Sequence, residues 1–156
     1  MKKIIAIMIL IVSTQVSGNT GEFGIGAIFG APTGISGNYI LDENRSIDGG
    51  LGFSLSNSSD TKLEFHSTLL SHKPDSLKAF GQVLGWYYGL GGKIKIVNKD
   101  NGGDSEFRIG ARASLGAKYD IIEANCDFFA EAGLIMEFIP DTNGSLDIGI
   151  GARYYF

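Results

Sequence analysis

The sequence predicts an all-β protein, an eight-stranded antiparallel up-and-down transmembrane β-barrel preceded by a cleaved signal peptide. The first observation is the period of the last eleven residues, 146–156, in which every even position is apolar and every odd position is polar, small or amphipathic. Successive side chains of a strand point to opposite faces, so this segment has one apolar and one polar face. The apolar positions are Leu146, Ile148, Ile150, Ala152, Tyr154 and Phe156.

The second observation is that seven earlier segments show the same alternation, with their charged residues on one face only. Each is near the ~9–11 residues that a tilted strand needs to cross a bilayer. A soluble barrel would have an apolar interior and charges outside, whereas a membrane barrel has the reverse. The eight predicted strands are 22–30, 34–41, 46–55, 61–70, 83–97, 105–119, 126–139 and 146–156.

The N-terminus has the pattern of an export signal. Lys2 and Lys3 are followed by the apolar residues 4–12 and then by Val-Ser-Gly at 16–18, which suits cleavage after residue 18. The apolar run is too short to span a bilayer, which weighs against the alternative of a membrane anchor. We therefore predict a signal peptide over 1–18 and a single barrel domain over 19–156. Cys126, the only cysteine, lies far from this site, so a lipoprotein is not expected.

Composition excludes several classes of protein. The formal net charge is −4 and there is no basic run, so we expect no nucleic-acid partner. One cysteine cannot form an internal disulfide. The chain has 23 glycines, mostly within the alternating segments, and this favours curved strands over a disordered linker.

Charges of both signs occupy the predicted interior. An eight-stranded barrel is just wide enough to be filled by side chains, and buried charges are costly unless they are paired. We therefore predict a salt-bridged plug in which arginines and carboxylates bridge strands six, seven and eight, with Glu131 near its centre and interior glycines making room. The predicted network comprises Asp48, Glu64, Lys93, Arg108, Arg112, Asp127, Glu131, Asp147 and Arg153.

The connections are short and carry turn residues, with one exception. The longest predicted connection is 71–82, which strand parity places on the periplasmic side if both termini are periplasmic. Aromatic residues near the strand ends suit the girdles found at the two membrane interfaces. They are Trp86, Tyr88, Tyr119, Phe138, Tyr154 and Phe156.

Four segments spread over the chain resemble the small outer-membrane barrels of the OmpA and OmpX type, and resemble still more a group of uncharacterised OmpA-like barrels of Gram-negative bacteria. They are GAPTGISG at 30–37, YYGLGGK at 87–93, FRIGAR at 107–112 and GIGARYYF at 149–156. The resemblance implies the bacterial outer membrane, contact with its lipid, and periplasmic chaperones and the barrel-insertion machinery as partners during biogenesis. It also implies that Tyr154 and Phe156 form the insertion signal, and it implies no activity.

We expect a monomeric structural protein that is not an enzyme and has no cofactor or metal. The alternatives are a narrow, porin-like pore beside the interior glycines and a surface binder or adhesin using connections 31–33, 56–60, 98–104 and 140–144. His66 adjoins Ser67, and outer-membrane lipid-A deacylases use a Ser-His-Glu site, but neighbours on a strand face opposite sides and cannot form a catalytic pair. Cys126 has no apparent histidine partner. The Gly24-x-Gly26 pattern lies in a strand without a following helix, so nucleotide binding is not expected.

Overall fold

The computed structural model describes residues 23–55, 61–79, 82–98 and 105–156. These residues form a closed antiparallel barrel in which each strand pairs with the next and β8 pairs with β1, so the predicted fold class is confirmed. The predicted signal peptide and its cleavage site lie outside the described residues. The strands are β1 (Phe23–Ala31), β2 (Thr33–Asp42), β3 (Arg45–Leu55), β4 (Thr61–Ala79), β5 (Gln82–Asn98), β6 (Glu106–Ile121), β7 (Cys126–Ile139) and β8 (Asn143–Tyr155).

The strands are staggered around the barrel. Following paired residues once round from Arg153 on β8 leads back to β8 at Asn143, ten residues away. This stagger goes with strands that are tilted to the barrel axis. Both chain ends of the barrel, Phe23 and Tyr155, lie at one end, which we call the terminal rim; the opposite end is the loop rim.

Burial is inverted relative to a soluble protein. Among the described residues, fifteen buried side chains are polar or charged and six are hydrophobic. Large apolar side chains lie on the outside instead, such as Phe29, Leu90 and Ile150, which are 62%, 73% and 63% exposed. The assignment of the two faces from the alternation is confirmed. His66 is buried in the lumen and its neighbour Ser67 is exposed on the outer wall.

The prediction of a long connection over 71–82 was wrong. β4 continues to Ala79 and β5 begins at Gln82, so only residues 80–81 separate the two strands. Leu77 pairs with Leu84 in this extension. The register shifts between Lys73 and Leu77, and the irregularity accommodates Pro74, which has no N–H to donate. Pro74 and Asp75 are common turn residues, and for this reason the sequence pattern predicted a connection here instead of a strand.

The extra length of β4 and β5 projects beyond the barrel wall. The first residue of β3, Arg45, pairs with Ser71, and the pairing of β5 with β6 begins at Gly85. We call residues 74–85 the β4–β5 ribbon. It lies at the terminal rim, next to the ring pair Trp86–Tyr88, whose centroids are 5.7 Å apart.

Helical structure is minimal in the described ranges. It consists of the 3₁₀ turn Ile122–Ala124 between β6 and β7. No helix there has the length and hydropathy needed to cross a bilayer.

Candidate functional site: the ion-paired lumen

The charged interior begins near the terminal rim with the Arg153 cluster, which consists of Arg153, Asp48, Asp127, Tyr155 and His66. Arg153 Nη1 lies 2.5 Å from Asp48 Oδ1, and Nε lies 3.2 Å from Asp127 Oδ1. The Tyr155 hydroxyl donates to Asp127 Oδ2 at 2.7 Å. His66 Nε2 is 3.5 Å from Asp48 Oδ2. One guanidinium therefore pairs with two buried carboxylates.

An aromatic ring completes the surroundings of Arg153. The guanidinium carbon lies 4.0 Å from the centroid of the Phe129 ring, which is within the range of a cation–π contact. Phe129 occupies a polar-face position of β7 and is buried. The space for its ring comes from Gly151, where an added Cβ atom would collide with it.

Arg112 lies in the middle of the lumen. Its Nη2 is 2.5 Å from Glu131 Oε1, and its Nη1 donates to Thr68 Oγ1 at 3.2 Å. Its Nε is 3.9 Å from Asp147 and has no hydrogen-bond partner among the described residues. A Cβ atom added to Gly133 would lie only 2.8 Å from Arg112 Nη2, so this glycine makes room for the guanidinium.

The third group, the Lys93 cluster, lies towards the loop rim and consists of Lys93, Lys95, Glu64, Asp147, Glu137, Arg108 and Glu106. Lys93 Nζ is 2.7 Å from both Glu64 Oε2 and Asp147 Oδ2. Lys95 Nζ is 3.3 Å from Glu64 and 3.9 Å from Glu137. Arg108 bonds Glu137 at 3.2 Å and Glu106 at 2.7 Å. Asp147 connects this cluster to Arg112.

Two of these ion pairs cross the interior. Arg153–Asp48 joins β8 to β3, and Lys93–Asp147 joins β5 to β8. In a ring of eight strands, each pair spans three strand steps and so reaches through the lumen rather than along its wall. Tyr87 is buried between the charged groups, and a Cβ atom added to Gly116 would collide with its ring. Ion pairs and aromatic rings together fill the interior.

The nine residues predicted for the interior network all carry ion pairs, and all are buried except Arg108, which is partly exposed. Across β6, β7 and β8 the structure brings together Arg108–Glu137, Arg112–Glu131 and Arg153–Asp127. The ion pairs also extend to β3, β4 and β5 through Asp48, Glu64 and Lys93. Asp147, rather than Glu131, links two groups of charges.

The sequence analysis did not include three interior residues in the site. Thr68 accepts a hydrogen bond from Arg112, and Tyr155 donates one to Asp127. The buried ring of Tyr87 fills space between the charged groups. Their polar-face positions were the available signal. A large ring in a narrow lumen also needs a glycine on the neighbouring strand, as Tyr87 has Gly116 and Tyr155 has Gly24. Tyr154 and Phe156 lie at the terminal rim with ring centroids 5.1 Å apart, and their role as an insertion signal stays a prediction.

A serine–histidine contact also escaped the sequence analysis. Ser46 Oγ lies 2.7 Å from His72 Nε2 and accepts a hydrogen bond from Asn38 Nδ2 at 2.9 Å. His72 Nδ1, where a catalytic acid would bind, has no hydrogen-bond partner in the described part of the chain. Ser46 is fully buried, and its contact with His72 lies inside the barrel. No group of His, Cys, Asp or Glu side chains that could hold a metal ion occurs within the described ranges.

Comparison with known proteins identifies the fold. No family profile and no curated protein matches the chain. Among solved structures, it is similar to the N-terminal β-barrel domain of Pseudomonas aeruginosa OprF, with 17% identity and a TM-score of 0.66 over 88% of this chain and 98% of that one. It is also similar to Neisserial surface protein A, with 16% identity and a TM-score of 0.53 over 88% and 95% of the two chains. This chain therefore has the small eight-stranded barrel fold that both structures represent.

Proposed function

We propose that this protein is an integral outer-membrane barrel with a structural role, neither an enzyme nor an open pore. The observation that carries the proposal is the inverted burial, with ion pairs inside a closed barrel and large apolar side chains outside. In lipid, all backbone polar groups must be satisfied internally, and a closed barrel without edges meets that requirement. An apolar surface of this extent would cause aggregation in water.

The aromatic residues support an orientation in the membrane. Trp86, Tyr88, Tyr154 and Phe156 gather at the terminal rim, where amphipathic rings would lie at a membrane interface. We place this rim on the periplasmic side, as the strand parity of a barrel with periplasmic termini requires. The β4–β5 ribbon then also lies at the periplasmic interface.

The crossing ion pairs favour a closed lumen over the pore alternative. An ion passing through would have to displace Arg153 from Asp48 or Lys93 from Asp147, and all four are buried. The interior glycines were the reason to consider a pore. Gly116 and Gly133 are instead covered by Tyr87 and Arg112. The surface-binding alternative stays a prediction, since 56–60 and 99–104 lie outside the described residues.

Localisation is tested by expressing the full chain in a Gram-negative host and separating the membranes on a density gradient. We expect the protein in the outer-membrane fraction, with strand-dominated circular dichroism and a heat-dependent shift on gels. Recovery in the soluble periplasm would contradict the proposal.

Conduction is tested in planar bilayers. We expect the wild type to be silent and the double variant Asp48→Ala/Arg153→Ala to conduct, because the double variant removes a crossing pair. Asp42→Ala/Arg45→Ala removes an exposed pair at the rim and is the matched control, which should stay silent. Steady wild-type conductance would favour the pore.

A further inference from the structure

Two buried polar atoms on the inner face of β6 have no protein partner. Arg112 and Ser114 are both buried in the lumen, and neither Arg112 Nε nor Ser114 Oγ has a hydrogen-bond partner in the described part of the chain. Buried polar atoms in folded proteins are almost always hydrogen-bonded, either to the protein or to ordered water. Two such atoms, two residues apart on one face of a strand, indicate a site for a polar ligand.

The register of three strands brings a carboxylate to the same place. Ser114 on β6 pairs with Gly133 on β7, and Gly133 pairs with Asp147 on β8, so the three residues form one row across the inner wall. Gly133 has no side chain, and the guanidinium of Arg112 lies over it. A Cβ atom added to Gly133 would be only 2.9 Å from Arg112 Nε. The Nε atom therefore lies between the side chains of Ser114 and Asp147.

The gap between Arg112 and Asp147 has a length that suits a water bridge. Arg112 Nε lies 3.9 Å from Asp147 Oδ2, which is too far for a direct hydrogen bond. A water that bonds both groups can span a separation of this kind. Asp147 Oδ2 accepts a hydrogen bond from Lys93 Nζ at 2.7 Å, and a carboxylate oxygen has the capacity to accept a second one.

We propose that the lumen binds one ordered water molecule over Gly133, held by Arg112, Ser114 and Asp147. The water accepts hydrogen bonds from the Nε–H of Arg112 and from the hydroxyl of Ser114, and it donates one to the Asp147 carboxylate. A buried water typically makes about three hydrogen bonds, which is the number that this site offers. The water thereby joins the Arg112–Glu131 ion pair to the Lys93 cluster through Asp147.

A water fits this site better than an ion does. Two donors alone would suit an anion, but the guanidinium is flanked by two carboxylates, Asp147 and Glu131. A cation would lie against the guanidinium itself. A neutral molecule that both donates and accepts hydrogen bonds satisfies the unpaired atoms without adding a buried charge.

The water is detected by solid-state NMR of the purified protein in lipid bilayers. The protein is perdeuterated, carries isotope-labelled arginine and is refolded in ordinary water. We expect magnetisation transfer from water to the Nε–H of Arg112. Arg153 is the internal control and should show no transfer, because its Nε is also buried but bonds Asp127 Oδ1 directly at 3.2 Å. Absence of transfer at Arg112, or equal transfer at the two arginines, contradicts the proposal.

Ser114→Ala distinguishes a bound water from proton exchange through the serine hydroxyl. Transfer to the Nε–H of Arg112 should persist in this variant, because Arg112 and Asp147 still hold the water. Loss of transfer would show that the hydroxyl was its source, and the proposal would be wrong. Ser67→Ala makes the same change on the outer wall and should leave the Arg112 signal unchanged.

Stability gives an independent readout, with opposite signs for a hydrated and a dry site. If Ser114 bonds a water, Ser114→Ala loses that hydrogen bond and lowers the ratio of folded to unfolded protein about fivefold. If the hydroxyl has no partner, its removal relieves a buried unsatisfied group and raises the ratio. An unchanged or raised ratio in urea unfolding therefore contradicts the proposal. Recovery of the protein outside the outer membrane contradicts the proposed function only, since this site lies inside the barrel.

Discussion

Arg153 Nη1 lies 2.5 Å from Asp48 Oδ1, although the two residues are 105 positions apart in the chain and belong to strands on different sides of the lumen. The same guanidinium also bonds Asp127 through Nε. One cation thus contacts two carboxylates that are both buried. Removal of either acid leaves Arg153 with the other as its partner, but removal of the arginine leaves both carboxylates without a cationic partner in the Arg153 cluster.

The first prediction is that Arg153→Gln lowers the free energy of unfolding by about 3–5 kcal/mol, because it leaves buried carboxylates uncompensated. Urea unfolding in lipid vesicles, followed by the fluorescence of the single tryptophan, Trp86, measures the change. Arg45→Gln is the matched control, since the Arg45–Asp42 pair is exposed and such pairs contribute about 0–1 kcal/mol. Equal effects of the two changes would mean that water screens the lumen charges.

The second prediction concerns the coupling between Arg112 and Glu131. Each single change, Arg112→Met or Glu131→Met, should be strongly destabilising because it leaves the other charge buried without its 2.5 Å partner. The double variant should lose clearly less free energy of unfolding than the sum of the losses of the two single variants. A double-mutant cycle on the same unfolding assay gives the interaction energy, and additive losses would contradict the structural pairing.

The third prediction uses a glycine as a probe of packing. Gly116→Ala should destabilise the barrel by about 1–3 kcal/mol, because the new methyl group would collide with the ring of Tyr87. Tyr87→Leu in the same chain should recover part of that loss. Gly144→Ala is the control, since a Cβ there would meet no atom within 4 Å. Equal unfolding midpoints for the two glycine variants would show that Tyr87 does not occupy the lumen.

The fourth prediction is that the β4–β5 ribbon is dispensable for folding. Lys73 pairs with Trp86, so replacement of residues 74–85 by Asn-Gly can close the hairpin at that pair. We expect the shortened chain to insert and to keep its heat-dependent gel shift. Failure of the shortened chain to fold would show that the ribbon contributes to assembly of the barrel.

The sequence by itself determined the architecture, because a strand repeats every two residues and a closed barrel separates those two faces completely. The inward position of Glu131 and the outward position of Leu134 follow from the parity of β7 alone. The same parity placed His66 and Ser67 on opposite faces. The extent of β4 was misjudged because Pro74 and Asp75 are turn residues in most settings, and the register shift that accommodates them depends on pairing with β5.

Only the tertiary structure decided which charges meet. Arg153 finds Asp48 and Lys93 finds Asp147 because the ten-residue stagger brings distant strands to the same height in a narrow lumen. That stagger is the sum of the registers of all eight strand pairs, and the alternation within any one strand does not specify it. The patch of alanines on the outer wall has the same origin, since Ala117, Ala130 and Ala152 become neighbours only once β6, β7 and β8 pair in this register.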